Sequence, residues 1–217
     1  MKRIILIMAA FILMGALSVG CQEKTEQEPA TKQDTLKVQK PPAGKRVVMI
    51  IAPENFRDEE LFVPKGLLED KGVKVKVAST SLDTAKGMLG GKFEPDMLIS
   101  DIKLKEWDGI VLVGGTGASR YWEDTTIHFM LKQAVEQDKV VGAICIAPVT
   151  LANSGILKDR KATVYKTETK KLEAKGAKCT SKDVQRDGNI ITANGPGAAI
   201  FFGNVIAQAL KEQKEKK

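Results

Sequence analysis

Residues 140–152 read VVGAICIAPVTLA. Val140 to Ile144 are apolar or small throughout, as a short strand buried on both faces requires. From Ala147 onward the run suits a helix, with Pro148 in the first turn, where its missing N–H is not needed. Cys145 stands at the junction. A sulfur placed there meets the unpaired N–H groups and the positive end of the helix, and both favour thiolate over thiol. The expectation is an exposed, reactive cysteine of the nucleophile-elbow kind; a cysteine that only packs in the core is the alternative.

Outward from that junction the chain alternates apolar runs with helix-like segments, the pattern of a mostly parallel sheet covered on both faces. Strands are expected over 47–51, 73–78, 110–113 and 140–144. A helix is expected over 59–71, bent or interrupted at Pro64-Lys65-Gly66. A second covers 125–137, where Ile127, Met130, Leu131, Ala134 and Val135 form an apolar face. Residues 87–102 read as a hairpin or edge elaboration. A short strand over 162–165 and a charged helix over 168–175 follow. Asp187-Gly188-Asn189 reads as a hairpin turn, and Asn194-Gly195-Pro196-Gly197 leads into a final helix over 198–213.

Two further stretches belong beside Cys145. The loop Gly114-Gly115-Thr116-Gly117 follows the 110–113 run, and its glycines let backbone approach a small ligand without obstruction. No Gly-Lys-Ser/Thr ending follows it, so it fails as a nucleotide phosphate loop. The N–H groups of Gly115 and Ile146 are the candidate donors to an anionic oxygen. After the first strand, PENFRDEEL puts Glu60 at the carboxyl edge of the sheet, where the active site of an α/β protein belongs. A carboxyl there could share a proton with sulfur, while Asp58 and Glu59 read as helix-start charges.

The 217 residues carry 34 Lys and Arg against 27 Asp and Glu, a formal net charge of +7. The lysines are scattered and no aromatic-rich basic surface accompanies them, which argues against a nucleic-acid partner. One histidine, His128, and dispersed cysteines do not make a metal site. His128 falls in a helix and is read as a packing or surface residue. Cys179 lies in a polar-flanked run and is read as a strand residue without catalytic work. Tyr121-Trp122 follows the glycine loop, so with Trp107 it is read as pocket wall, dimer contact or core.

The N-terminus has the layout of a secretory signal over 1–20: Lys2 and Arg3, an apolar run from Ile4 to Leu17, then Ser18-Val19-Gly20-Cys21. Those last four residues resemble a bacterial lipobox, with Ser18 where leucine is usual, so Cys21 is expected to carry lipid. That reading makes the protein a membrane-anchored lipoprotein of the bacterial cell envelope, with the lipid membrane as a partner. Residues 21–45 hold Pro29, Pro41 and Pro42 among Lys, Glu, Gln and Thr and read as a flexible tether. Residues 46–217 are left as one domain.

The motifs ENFRDEEL, IVLVGGTGA, VGAICIAPVTLANSGIL and IITANGPGAA, in this order, resemble the ThiJ/PfpI superfamily over nearly all of 46–210. The resemblance implies a flavodoxin-like three-layer α/β sandwich, a nucleophile at Cys145, an interacting carboxyl at Glu60, backbone donors at Gly115 and Ile146, and a homodimer. Two departures matter. Peptidase-like members carry His directly after the cysteine, where this chain has Ile146. The branch that includes the human parkinsonism-associated protein has its His on a later segment, where this chain has Tyr165 as a replacement.

Without a matched imidazole, amide cleavage lacks its usual means of protonating the leaving group, and a peptidase is disfavoured. The expected function is a cysteine-dependent enzyme of glyoxalase or deglycase type, acting on a small carbonyl compound without a cofactor. The alternatives are an oxidation-responsive thiol and an envelope-stress binding protein without turnover.

Overall fold

The computed structural model describes residues 44–213. The signal sequence, Cys21 and nearly all of the tether lie outside the described residues. The chain enters through β1 (Arg46–Ile50), the short β2 (Glu54–Phe56) and α1 (Asp58–Asp70), then β3 (Lys74–Ser79). β4 (Ala85–Gly87), β5 (Lys92–Phe93) and β6 (Met97–Leu98) are brief, and β7 (Gly109–Leu112) returns to the core. α2 (Thr125–Glu136), β8 (Val140–Ile144) and α3 (Pro148–Asn153) follow. The remainder is β9 (Lys161–Ala162), α4 (Thr169–Ala174), β10 (Lys178–Cys179), the hairpin β11 (Val184–Asp187) with β12 (Ile190–Ala193), and α5 (Ala199–Glu212).

Seven strands form the main sheet in the order β11-β12-β8-β7-β1-β3-β6. Every neighbouring pair is parallel except β11 with β12. Taken in chain order, the five central strands β1, β3, β7, β8 and β12 stand as 2-1-3-4-5, a doubly wound arrangement. The winding reverses between β1 and β7. A crevice therefore opens at the carboxyl ends of these strands, and α1, the glycine loop and Cys145 all start there.

Side chains alternate across the sheet with period two and feed two cores. On one face Val48, Ile50, Ile110 and Leu112 pack with Ile127 and Leu131 of α2 and Leu151 of α3. On the other, Val47, Met49, Val111 and Ile144 pack with Leu61 and Leu68 of α1 and Phe202 and Ile206 of α5. The result is a three-layer α/β sandwich. α2 starts as its sequence suggests, with the Asp124 side chain accepting from the Ile127 N–H at 3.0 Å.

Of the bend or interruption expected at Pro64, the interruption is absent from α1. Pro64 neither splits nor ends it, and one helix runs from Asp58 to Asp70. The ring removes only the donor that would have met the Glu60 carbonyl one turn back. Gly203 of α5 lies against Pro64, so a tight helix contact forms where the sequence suggested a break. Residues 87–102 do contain a hairpin end: β4 and β5 pair antiparallel, β2 joins β4 in parallel, and β6 forms the edge of the main sheet.

Candidate active site

Glu60 lies in the first turn of α1, and its side chain is fully buried. Neither carboxyl oxygen has a hydrogen bond of ordinary geometry. Burial pushes its pKa up from 4.5 to about 7, although the Cys145 thiol, the Arg57 charge and the Gly114 N–H all pull it down. A carboxyl group held near neutrality in a crevice can both take and return a proton.

Cys145 follows β8 directly. Its N–H donates to the Ala193 carbonyl at 2.9 Å, and its own carbonyl accepts from the Tyr165 N–H at 2.8 Å. Between these ties the backbone sits at φ 64, the left-handed region, which costs a non-glycine residue roughly 1–2 kcal/mol. The packing on both sides holds that geometry in place.

The exposed, easily ionised thiol expected from the sequence is corrected. Cys145 is only 9% exposed. Burial and then the Glu60 charge push its pKa up to about 12, against the N–H groups of Gly115 and Ile146, which act to lower it. α3 is only six residues long. Two backbone donors act against the loss of water and a buried carboxyl together, and the balance favours thiol over thiolate.

Gly114 joins the two groups. A Cβ at this position would lie 2.5 Å from the Cys145 Cβ and 2.7 Å from the Ile144 carbonyl oxygen, and closer still to Glu60 Oε2. Gly115 follows at φ 92, where a side chain would collide with the Asn55 carbonyl and the Arg57 nitrogen. The backbone N–H groups of Gly115 and Ile146 act on the sulfur in favour of its charged form. Thr116 and Gly117 stand one step back: the Thr116 N–H meets Met88 Sδ at 3.4 Å, and Gly117 packs on the Glu54 carbonyl.

Tyr165 reaches Cys145 through its backbone, while its exposed ring lies on Gly195. That ring borders a cleft of about 650 Å³ shared with Thr163, Lys166, Cys179 and Asn194, and Cys145 does not line it. Cys179 itself points its sulfur at the Thr169 carbonyl, 3.7 Å away. Trp122 braces the peptide after Cys145, its indole N–H donating to the Ile146 carbonyl at 3.2 Å. His128 Nε2 lies 2.9 Å from the Trp122 carbonyl, which also accepts from Asn153 at 3.0 Å, so the one histidine is a packing residue. Tyr121 is core, bonded to the Ile51 carbonyl at 2.8 Å, and Trp107 is buried.

Three charged neighbours of the site, Arg57, Asp58 and Glu59, were not read as such from the sequence. Asp58 accepts from the Leu89 and Gly91 N–H groups at 2.8 and 2.7 Å, anchoring the turn that holds Met88 beside the glycine loop. Arg57 forks onto Glu59 at 2.8 and 3.0 Å, next to Glu60. The run Arg57-Asp58-Glu59-Glu60 carried the signal, in a cation two residues before an acid, but helix-start charge accounts for its acidic letters.

Comparison with known proteins places this arrangement. An uncharacterized protein from Methanocaldococcus jannaschii is 37% identical and spans 99% of this chain and 100% of its own. The glutathione-independent glyoxalase DJR-1.2 of Caenorhabditis elegans is 31% identical over 78% of this chain and 90% of its own. A deglycase of Thermococcus kodakarensis is 29% identical over 69% of this chain and 90% of its own. Among solved structures, a ThiJ/PfpI domain protein from Brachyspira murdochii superposes with a TM-score of 0.76 at 34% identity, covering 79% of this chain and 100% of that one.

These relatives overturn the envelope-anchored lipoprotein expected from the leader. Two of them are named as a glyoxalase and a deglycase, and among the described residues no helix is long and apolar enough to cross a membrane. The apolar run that carried the expectation lies outside the described residues. The model of the DJ-1/PfpI family matches residues 45–209, spanning Glu60, the glycine loop and Cys145, and the chain belongs to that family.

Proposed function

We propose that this protein converts small 2-oxoaldehydes to 2-hydroxy acids through Cys145 and Glu60. The observation that carries the reading is the buried Glu60 carboxyl, without a hydrogen bond of its own, set against Cys145 across Gly114. The relatives named glyoxalase and deglycase support a carbonyl substrate.

The resting thiol makes Glu60 the base. As sulfur bonds to the aldehyde carbon, the carboxylate takes the S–H proton and the carbonyl electrons move to oxygen, between the Gly115 and Ile146 N–H groups. Protonation of that oxygen gives a hemithioacetal. Glu60 then takes the proton from the former aldehyde carbon and delivers it to the adjacent carbon, while the hydroxyl proton of the hemithioacetal passes to that carbon's oxygen, so that the former aldehyde oxygen becomes the thioester carbonyl. A thioester of a 2-hydroxy acid results. Water adds to it, the C–S bond breaks, and the acid leaves with the thiol restored. One carbon is oxidised, its neighbour is reduced and one water is consumed, so no cofactor enters.

Proton NMR of methylglyoxal incubated with the protein tests this reading. It expects the 2-hydroxy acid to accumulate with wild type and not with Cys145→Ala; equal rates in both proteins would overturn it.

A further inference from the structure

The charged fork at the entrance of α1 sits where it can act on the reactive pair without touching a substrate. Arg57 is the last residue before α1, in extended conformation at φ −84 and ψ 118. Its N–H donates to the Gly114 carbonyl at 3.1 Å, and its carbonyl accepts from the Glu60 and Leu61 N–H groups at 3.1 and 3.2 Å. One residue thus ties the glycine wedge to the turn that carries Glu60. Its guanidinium grips Glu59 bidentately, which fixes both charges in a defined place.

We propose that Arg57 and Glu59 are opposed positioning residues for the Cys145–Glu60 pair, Arg57 easing its ionisation and Glu59 resisting it. This rests on the reading of that pair as the reactive centre. The balance of fields agrees with the geometry: Arg57 lowers the Glu60 pKa, Glu59 raises it, and Arg57 and Cys145 also feel each other. The charged or titratable groups around the pair come from few directions. Glu60 and Cys145 face one another, Arg57 and Glu59 come from the start of α1, and Tyr165 meets Cys145 by its backbone. Asp58, from the same turn, is taken up by Leu89 and Gly91. The fork is part-exposed, so water and salt screen it and the effect is moderate.

The test is the pH profile of Cys145 alkylation by iodoacetamide in the full chain, followed on the Cys145 peptide by mass spectrometry. Arg57→Gln should move the profile to higher pH and slow the reaction at pH 7 by about three- to tenfold, the equivalent of half to one pH unit. Glu59→Gln should move it to lower pH and speed the reaction by a similar factor. Arg57→Lys and the double variant Arg57→Gln/Glu59→Gln should both return close to wild type. A fork that only holds the helix start would shift both single variants in the same direction, and that result, or no shift in either, overturns the proposal. Alkylation needs no turnover, so opposite shifts without conversion of a 2-oxoaldehyde would remove the proposed function and leave the opposed charges standing.

Discussion

The Glu60 carboxyl and Cys145 face each other across Gly114 with no room for one added carbon. This closeness makes one site of two groups 85 positions apart in sequence, and it ties reactivity to stability. Gly114→Ala should lower unfolding free energy by about 1–3 kcal/mol, since the new methyl meets backbone as well as side chains. Denaturant titration measures the loss, and iodoacetamide labelling should show an altered Cys145 rate. A variant as stable and as reactive as wild type would show that the wedge is not there.

Burying Glu60 has a signed consequence for stability. Its folded pKa of about 7 stands above the ordinary 4.5, so the folded state binds the proton more tightly and stability falls as pH rises between these values. Below about 4.5 the cost is absent; above about 7 it is complete. Glu60→Gln should therefore gain about 3 kcal/mol over wild type at pH 8 and almost nothing at pH 4.5. Parallel urea titrations at the two pH values check this, and a gain that does not depend on pH would assign it to packing instead.

The same titration should appear in turnover. If Glu60 must be ionised to take the thiol proton, kcat/KM for a 2-oxoaldehyde rises with pH and levels off above about 7. Stopped assays from pH 5 to 9 give the curve. A rate that falls as pH rises through 7 would mean that the acid form of Glu60 is the working one.

Asp58 should matter for the wall of the site. Asp58→Asn weakens two charge-assisted bonds to the Leu89 and Gly91 N–H groups and should cost about 1–3 kcal/mol. Hydrogen exchange at these two amides should quicken well beyond that of β1. Unchanged protection there would show that β4 and β5 hold the turn without Asp58.

The strand-and-helix alternation from Arg46 onward was legible because β1, β7 and β8 are buried on both faces and so are written in apolar letters. The positions of Gly114 and Cys145 just after strands, and of Glu60 at the start of the helix that follows the first strands, followed from it. What did not follow was anything set by distant packing. Pro64 looked like a break because Gly203, which accommodates it, lies on α5. Cys145 looked exposed because the elements that cover it, up to the Tyr165 segment, are remote in sequence. The sign of its pKa shift followed from that burial, and local helix-start reasoning gave the opposite sign. Asp58 and Glu59 were hidden by their resemblance to ordinary helix-start charges, and Arg57 was not singled out at all.

The most direct measurement is carbon-13 NMR of a 2-oxoaldehyde labelled at its aldehyde carbon, mixed with stoichiometric protein and followed through a single turnover. The account predicts a sulfur-bound carbon resonance that appears with wild type, precedes the 2-hydroxy acid, and is absent in Cys145→Ala. Formation of the acid by Cys145→Ala at the wild-type rate, with no sulfur-bound carbon in either protein, would contradict it.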